Sequence, residues 1–136
     1  MENSRTVDGN IKVYSRFRPL NPREIAECTK PVHRKLTQTT VAIRTQKERE
    51  ELSFTFDGVL DVDSTQQQVY ELAGRSIVAS LFDGFNGTIF SYGQTASGKT
   101  YTMQGPSTCG NVHQRGIIPR AVWISFNLGR SNLRNN

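Results

Sequence analysis

The chain has 136 residues, a length that suits one small domain, and its net charge is +5. Apolar residues make up 35% and charged residues 21%, a composition typical of an ordinary soluble domain. No stretch approaches 18 apolar residues, so neither a transmembrane helix nor a membrane partner is expected. The basic balance suggests an acidic partner or, as we favour, a solvated basic surface. Since no Lys/Arg run is interleaved with aromatic residues, nucleic acid is not an expected partner.

The sequence of the N-terminal half indicates a disordered leader followed by several strands. Residues 1–10 are expected to be a disordered leader. Residues 11–17, IKVYSRF, alternate apolar and polar side chains, which predicts a strand. Residues 30–46 indicate two short strands around a turn. Residues 51–56, ELSFTF, alternate again and predict a third strand in this region.

A helix is predicted after this group of strands. Ser64 is a suitable N-cap, and Gln67 three residues later completes a capping box. Turn signals at Gly84 and Gly87 end the helix. Apolar residues at helical spacing predict its buried face: Val69, Leu72, Ala73, Ile77 and Leu81.

The last third of the chain alternates strand, loop and helix signals. Residues 88–92, TIFSY, are almost wholly apolar and predict a buried parallel strand. Residues 98–103, GKTYTM, should open a helix, and residues 105–116 are rich in Gly, Ser and Asn and indicate a loop. Residues 117–126 predict a further helix with Pro119 in its first turn. This order of elements favours an α/β sandwich.

One motif carries specific chemistry. The residues Gly93, Gln94, Thr95, Ala96, Ser97, Gly98, Lys99 and Thr100 match G-x-x-x-x-G-K-[ST] in full. We call residues 93–100 the phosphate loop. Glycines let backbone N–H groups face a phosphate, the lysine reaches the β- and γ-phosphates, and the Thr100 hydroxyl can bind Mg²⁺. By chance the four fixed positions match in roughly one such chain in a few hundred, and the flanking strand and helix signals lower that further. The motif alone names neither the nucleotide nor the reaction.

The wider sequence resembles the motor domain of kinesins. FSYGQTASGKTYTMQG (residues 90–105) is similar to the P-loop segment of that family, and Arg16-Phe-Arg-Pro19 resembles its Arg-x-Arg-Pro signature. Residues 54–71 and 115–123 resemble two further family segments, in family order. The resemblance covers about 11–123, and its wording is most similar to the centromere-associated mitotic kinesins.

The resemblance implies a fold, cofactors and partners. It implies a partial P-loop NTPase of α/β class, a three-layer sandwich that binds ATP or ADP with Mg²⁺ at Thr100. Arg16 and Pro19 would lie on one side of the adenine, and Tyr101 on the other. The complete domain would bind microtubules, hydrolyse ATP and move along them. The implied location is the cytoplasm, on the microtubule cytoskeleton, with the spindle as one site.

The same comparison limits the expected activity. No Asp or Glu follows Asp83, and the family's two switch motifs, Asn-x-x-Ser-Ser-Arg and Asp-x-x-Gly, do not occur. We therefore expect an N-terminal part of a motor domain at 11–123 and a divergent tail at 124–136, with ATP hydrolysis at or near background and no catalytic residue in this chain. The alternatives are a non-hydrolysing nucleotide-binding fragment, a truncated product or a natural short variant. An unrelated P-loop kinase or GTPase would need a different base-recognition signature.

Other residues suggest no further site. Cys28 and Cys109 are expected to be free reduced thiols, since two distant cysteines make neither a disulfide framework nor a zinc site. His33 and His113 have no partners at metal-ligand spacing and are expected at the surface. Three aromatic residues are expected in the core: Phe82, Phe85 and Phe90.

Overall fold

The structure is a computed structural model that describes residues 11–44, 51–107 and 111–134. The predicted leader at 1–10 and the predicted free thiol of Cys109 lie outside the described residues. In chain order the elements are β1 (Tyr14–Arg16), α1 (Pro22–Ala26), β2 (His33–Lys35), β3 (Thr40–Arg44), β4 (Glu51–Thr55), β5 (Gly58–Leu60), α2 (Gln66–Val69), a π-helical turn (Tyr70–Gly74), α3 (Arg75–Phe82), α4 (Lys99–Met103), a 3₁₀ turn (Val112–Gln114) and α5 (Ile117–Arg134). Helices and strands are mixed, so the predicted α/β class is confirmed.

The chain divides into two compact units, and the first contains the described residues up to Ser15 and between Lys30 and Val59. Strands β2, β3 and β4, which were predicted as strands, form an antiparallel sheet in that order. The middle strand buries Val41 and Ala42, at 1% and 2% exposure. Glu51 forms ion pairs with Arg34 and Arg44 at one end of this sheet.

The second unit contains residues 16–29 and everything from Leu60 onward, and it holds all the predicted site residues. Its core is built from the helical segment that begins at α2 and from the start of α5. Met103 at the end of α4 packs against the same core. Burial of these side chains is the main favourable term that holds α4 and α5 together. The buried core members are Leu60, Val69, Tyr70, Val78 and Ile117.

The predicted helix after residue 63 begins one residue later than the capping signal indicated. Thr65, not Ser64, is the N-cap: its hydroxyl accepts a hydrogen bond from Gln68 N, and the Gln68 side chain accepts one from Thr65 N. Both residue pairs have capping-box spacing, so the pattern alone does not separate them. The N–H of Ser64 instead closes a turn onto the carbonyl of Asp61.

The predicted buried face of that helix is also wrong in part. Val69 is buried, but Leu72 and Leu81 are 39% and 47% exposed. The π-helical turn at Tyr70–Gly74 has i→i+5 geometry and changes the angular phase of every residue that follows it. As a result Val78, rather than Leu81, faces the core.

The prediction of a buried strand at 88–92 is wrong. This segment forms no strand, and Phe90 and Tyr92 are 78% and 95% exposed. A strand is stabilised by hydrogen bonds to neighbouring strands, and none of the described strands pairs with this segment. The expected phenylalanine core is wrong for the same region, since Phe82 and Phe85 are 46% and 49% exposed.

The C-terminal helix is confirmed and is longer than predicted. Helix α5 runs from Ile117 to Arg134, with Pro119 as its third residue, where a proline costs no helical hydrogen bond. The helix therefore includes most of residues 124–136. Among the described residues, no helix combines the length and the apolar character that crossing a membrane requires.

Candidate nucleotide-binding site

The phosphate loop leads directly into α4. Gly98 is the N-cap of that helix, with φ 96° and ψ 15°, a left-handed conformation that glycine adopts without a steric penalty. Ala96 also has a positive φ, 64°. The N–H of Ser97 donates to the carbonyl of Gln94 and closes a turn within the loop. The sequence motif therefore forms a tight, glycine-dependent turn.

Several donors of this turn lack a partner within the chain's own backbone. The N–H groups of Gly98, Lys99 and Thr100 have no backbone acceptor among the residues that the structure describes. The Lys99 ammonium donates to the carbonyls of Gly93 and Gln94, each at 2.7 Å. An ammonium has three donors, so one N–H of Lys99 remains for an outside acceptor. These groups form a set of donors suited to an anion.

Thr100 is the residue of the loop that the motif assigns as a metal ligand. Its side chain is exposed, as are those of Gln94, Thr95 and Ala96. In the described part of the chain, no group of three or more His, Cys, Asp or Glu side chains could hold a metal ion. A metal ion at Thr100 would thus take its other ligands from phosphate oxygens and water, an arrangement that Mg²⁺ accepts.

Arg16 and Tyr101, both predicted adenine contacts, lie directly against each other. The Arg16 guanidinium carbon is 5.4 Å from the centre of the Tyr101 ring, a cation–π distance. Burial lowers the pKa of the Arg16 guanidinium, although arginine stays protonated at neutral pH. A purine stacked between the two groups would need about 7 Å, two van der Waals separations. The base therefore does not fit between them in this arrangement.

Arg18 belongs to the site, although the sequence analysis assigned it no role. Its Nε donates to the carbonyl of Ala96 at 3.0 Å. Its two terminal nitrogens donate to the Glu24 carboxylate at 2.7 and 2.5 Å, a bidentate pair. Glu24 also closes a capping box with Asn21 at the start of α1. Arg18 thus connects the phosphate loop to α1. Its position as the second arginine of the Arg-x-Arg-Pro motif is the sequence feature that could have indicated this role.

The Glu24 carboxylate is strongly perturbed by this arrangement. Its hydrogen bonds from the Arg18 side chain, and then from Asn21 N, lower its pKa to about 2. Pro19 lies next to Arg18, is exposed, and accepts a hydrogen bond from Arg18 Nη1 through its carbonyl at 2.9 Å. Glu24 therefore remains ionised, and Arg18 remains paired, throughout the physiological pH range.

Gln66 is a second residue that the sequence analysis missed. Its side chain is 3% exposed and accepts a hydrogen bond from Arg16 Nη1 at 2.8 Å. Its amide nitrogen donates to the carbonyls of Tyr101 at 2.6 Å and Gln114 at 3.2 Å. Nothing in the local pattern distinguishes Gln66 from Gln67, because both follow the capping signal.

The loop between α4 and α5 closes tightly at Gly116. The N–H of Gly116 donates to the carbonyl of Gln104. A Cβ at Gly116 would lie 2.5 Å from the carbonyl carbon of Met103 and 2.6 Å from Gln104 N, both backbone atoms. Only glycine lets the start of α5 approach the end of α4 so closely. Gly116 thus holds the start of α5 close to the end of α4.

The chain is similar in sequence and in fold to known proteins. The sequence model of the kinesin motor domain matches residues 16–135. The chain is 42% identical over 120 residues to the human kinesin-like protein KIF15 and 42% identical over 121 residues to the human kinesin-1 heavy chain. Each match covers 87% of this chain, whereas the chain spans only 9% and 11% of those two relatives.

A solved structure matches the fold as well. It is described as the structure of a fast kinesin, with implications for its ATPase mechanism and its interactions with microtubules, and it gives a TM-score of 0.79 at 36% identity. The match covers 87% of this chain and 32% of that one. The fold is thus that of part of an α/β P-loop NTPase, as the sequence predicted.

Proposed function

Because the chain belongs to the kinesin motor domain family, we propose that its phosphate loop binds the phosphates of ATP or ADP. The observation that carries this proposal is the set of donors at Gly98, Lys99 and Thr100. Three backbone N–H groups without a backbone acceptor accompany an ammonium that keeps one free donor. Hydrogen bonds from such groups to phosphate oxygens are charge-assisted and therefore strong.

Mg²⁺ is the cofactor that the residues present would fit. The exposed hydroxyl of Thr100 would supply one oxygen ligand, with phosphate and water oxygens completing the shell. When bound, Mg²⁺ would neutralise part of the phosphate charge. Lys99, on the same loop, would bind the phosphates from the side of Gly93 and Gln94, whose carbonyls hold its ammonium.

The adenine base would be held by Arg16, Pro19 and Tyr101. Tyr101 is 41% exposed, so part of its ring is available for stacking. Arg16 already occupies a position against this ring. We propose that the base stacks on the exposed part of Tyr101 while Arg16 supports the ring from the opposite side. The exposed ring of Pro19 would contact the edge of the base.

The parent protein would be a motor that hydrolyses ATP and moves along microtubules, acting in the cytoplasm on the microtubule cytoskeleton. For the 136 residues alone we propose a narrower activity, nucleotide binding without turnover. The supporting observation is that no Asp or Glu follows Asp83 and that neither switch motif occurs in the sequence. P-loop NTPases use such groups to hold Mg²⁺ and to orient the attacking water.

The binding proposal is tested by calorimetric titration of Mg·ADP into the 136-residue chain and two variants. Lys99→Ala removes the loop ammonium and should weaken ADP binding by at least tenfold, as expected for the loss of a charged hydrogen bond. Lys30→Ala removes the same charge from an exposed position before β2 and should leave the affinity unchanged. Equal affinity of Lys99→Ala and the wild type would contradict the assigned role of the loop.

Turnover is tested separately. Phosphate release from ATP should stay at background with and without microtubules. Turnover that rises with microtubules and disappears in Lys99→Ala would refute binding without turnover and would leave the nucleotide-binding proposal intact.

A further inference from the structure

We propose that Gln66 is a positioning residue for the purine half of the nucleotide site, acting through Arg16 and Tyr101. The inference rests on the proposed function, because it assumes that ADP binds with its base at Tyr101. Gln66 itself would touch neither the base nor the phosphates. Its role would be to set the position of Tyr101, on which the base stacks, and of Arg16, which supports the tyrosine ring from the other side.

The hydrogen bonding of Gln66 is complete and entirely internal. Gln66 is the one buried polar residue among those that the structure describes, at 3% exposure. The side-chain oxygen accepts from Arg16, and the two amide hydrogens go to the carbonyls of Tyr101 and Gln114. A buried polar side chain is costly unless each of its groups is paired. All three bonds are therefore expected to be kept together or lost together.

Gln66 bonds to both members of the cation–π pair. Arg16 reaches Gln66 with Nη1, and the same nitrogen donates to the hydroxyl of Thr102 on α4 at 2.9 Å. The carbonyl of Tyr101 accepts the shorter of the two amide bonds, at 2.6 Å. Gln66 thus contacts both the guanidinium and the backbone from which the tyrosine ring projects. In this arrangement the cation and the ring are 5.4 Å apart.

The contacts of Lys99 and of the Ala96 carbonyl in the phosphate half do not involve Gln66, although Thr102, which accepts from Arg16, donates its hydroxyl hydrogen to the carbonyl of Gly98 at 3.0 Å. Lys99 is held by the carbonyls of Gly93 and Gln94, and Arg18 holds the carbonyl of Ala96. Gln66 takes part in none of these bonds. A change at Gln66 should therefore weaken recognition of the base and leave recognition of the phosphates intact. A residue needed only for folding would affect both halves equally.

The start of α2 explains why this glutamine, and not its neighbour, points inward. The reciprocal bonds between Thr65 and Gln68 hold the first turn of the helix and make Gln66 its first residue. Gln67, the next residue, is exposed. The chain therefore offers a matched control, since Gln66→Leu and Gln67→Leu make the same chemical change one position apart.

The experiment compares two ligands, Mg·ADP and Mg·tripolyphosphate, by calorimetric titration into the 136-residue chain. Tripolyphosphate carries phosphates without a base. In Gln66→Leu, ADP binding should weaken by roughly tenfold, as for the loss of a hydrogen bond to a charged group, while tripolyphosphate binding stays the same. Gln67→Leu should change neither. An equal loss for both ligands in Gln66→Leu would assign Gln66 a merely structural role and refute the inference.

A double-mutant cycle tests whether Gln66 acts through Arg16. In the Arg16→Met background, Gln66→Leu should cause a smaller further loss of ADP affinity than in the wild type, because one of the two groups that Gln66 positions is already absent. A second full tenfold loss would show that Gln66 acts independently of Arg16 and would overturn the proposed route.

Wild-type titrations separate this inference from the proposed function. A wild type that binds neither ligand would refute the proposed function and this inference together. A wild type that binds ADP no more tightly than tripolyphosphate would leave phosphate binding standing and refute the inference.

If the Gln66→Leu variant does not fold, a measurement on the wild type still tests the inference. In ¹H–¹⁵N spectra the side-chain amide signals of Gln66 should shift on addition of ADP but not of tripolyphosphate. Amide signals that respond identically to both ligands would refute the inference without any substitution.

Discussion

The left-handed conformation at Gly98 leads to a quantitative prediction about the phosphate loop. In Gly98→Ala, a Cβ meets nothing closer than the Cβ of Arg18 at 4.0 Å, so the cost is conformational and not steric. An L-residue in this region costs about 1–2 kcal/mol, part of which is offset by the lower entropy of the unfolded chain. A net loss of about 1 kcal/mol should lower Tm by roughly 2–5 °C in a chain of this length.

Gly84→Ala is the matched control. Gly84 has φ 84°, close to the 96° of Gly98, and a Cβ there meets no atom within 4 Å. The two variants should therefore lose about the same stability. Only Gly98→Ala should lose ADP affinity, because relaxation of its φ moves the N–H groups of Lys99 and Thr100 out of alignment. Two misaligned charged hydrogen bonds correspond to a loss of at least tenfold.

The assays are thermal unfolding followed by circular dichroism and calorimetric titration with Mg·ADP. An unchanged ADP affinity in Gly98→Ala would refute the requirement for the left-handed conformation. An equal loss of affinity in Gly84→Ala would trace the effect to general destabilisation instead of the loop.

Three further predictions concern the supports of the site. Thr65→Ala should lower the free energy of unfolding by about 1 kcal/mol in chemical denaturation, as N-cap removal does. Ser64→Ala should be nearly neutral. A larger loss in Ser64→Ala than in Thr65→Ala would show that Ser64 is the N-cap, as the sequence predicted. Because the folded-state pKa of Glu24, about 2, lies below the ordinary value near 4.3, its stabilising contribution is complete above about pH 4.5 and is lost as the pH falls toward 2. An NMR titration should show this pKa rising toward the ordinary value in Arg18→Met, and an unchanged pKa would rule out the ion pair. In the same denaturation assay, Gly116→Ala should lower the free energy of unfolding by about 3 kcal/mol, because its Cβ would overlap backbone atoms. A decrease below about 1 kcal/mol would contradict the close approach of α4 and α5 at this residue.

The phosphate loop could be predicted almost completely from the sequence. Its residues are contiguous, and each has a local reason: Gly98 for the left-handed turn, Lys99 and Thr100 for the start of α4. Helix α5 was predictable for the same reason, since a proline in the first turn and an apolar pattern lie within a few residues of each other. Short-range patterns of this kind need no knowledge of the rest of the fold.

Competing local signals were the first limit of prediction. Ser64 with Gln67 and Thr65 with Gln68 are equally good capping boxes, and the structure selects the second. This choice buries Gln66 and leaves Gln67 exposed. The π-helical turn that follows left no sequence signal, so the buried face of the helix was assigned in part to the wrong residues.

What the sequence by itself determined is the motif of the loop at residues 93–100, the α/β class and the resemblance that led to the kinesin family. Tertiary structure alone decided which distant groups meet there. Arg16 reaches Thr102 across 86 residues, and Gln66 reaches the carbonyl of Tyr101 across 35. Likewise, the apolar run at 88–92 is not a strand here, because strand formation depends on a hydrogen-bonded neighbour. Local patterns specify backbone turns and helices, whereas contacts between remote segments depend on how the core packs those segments together.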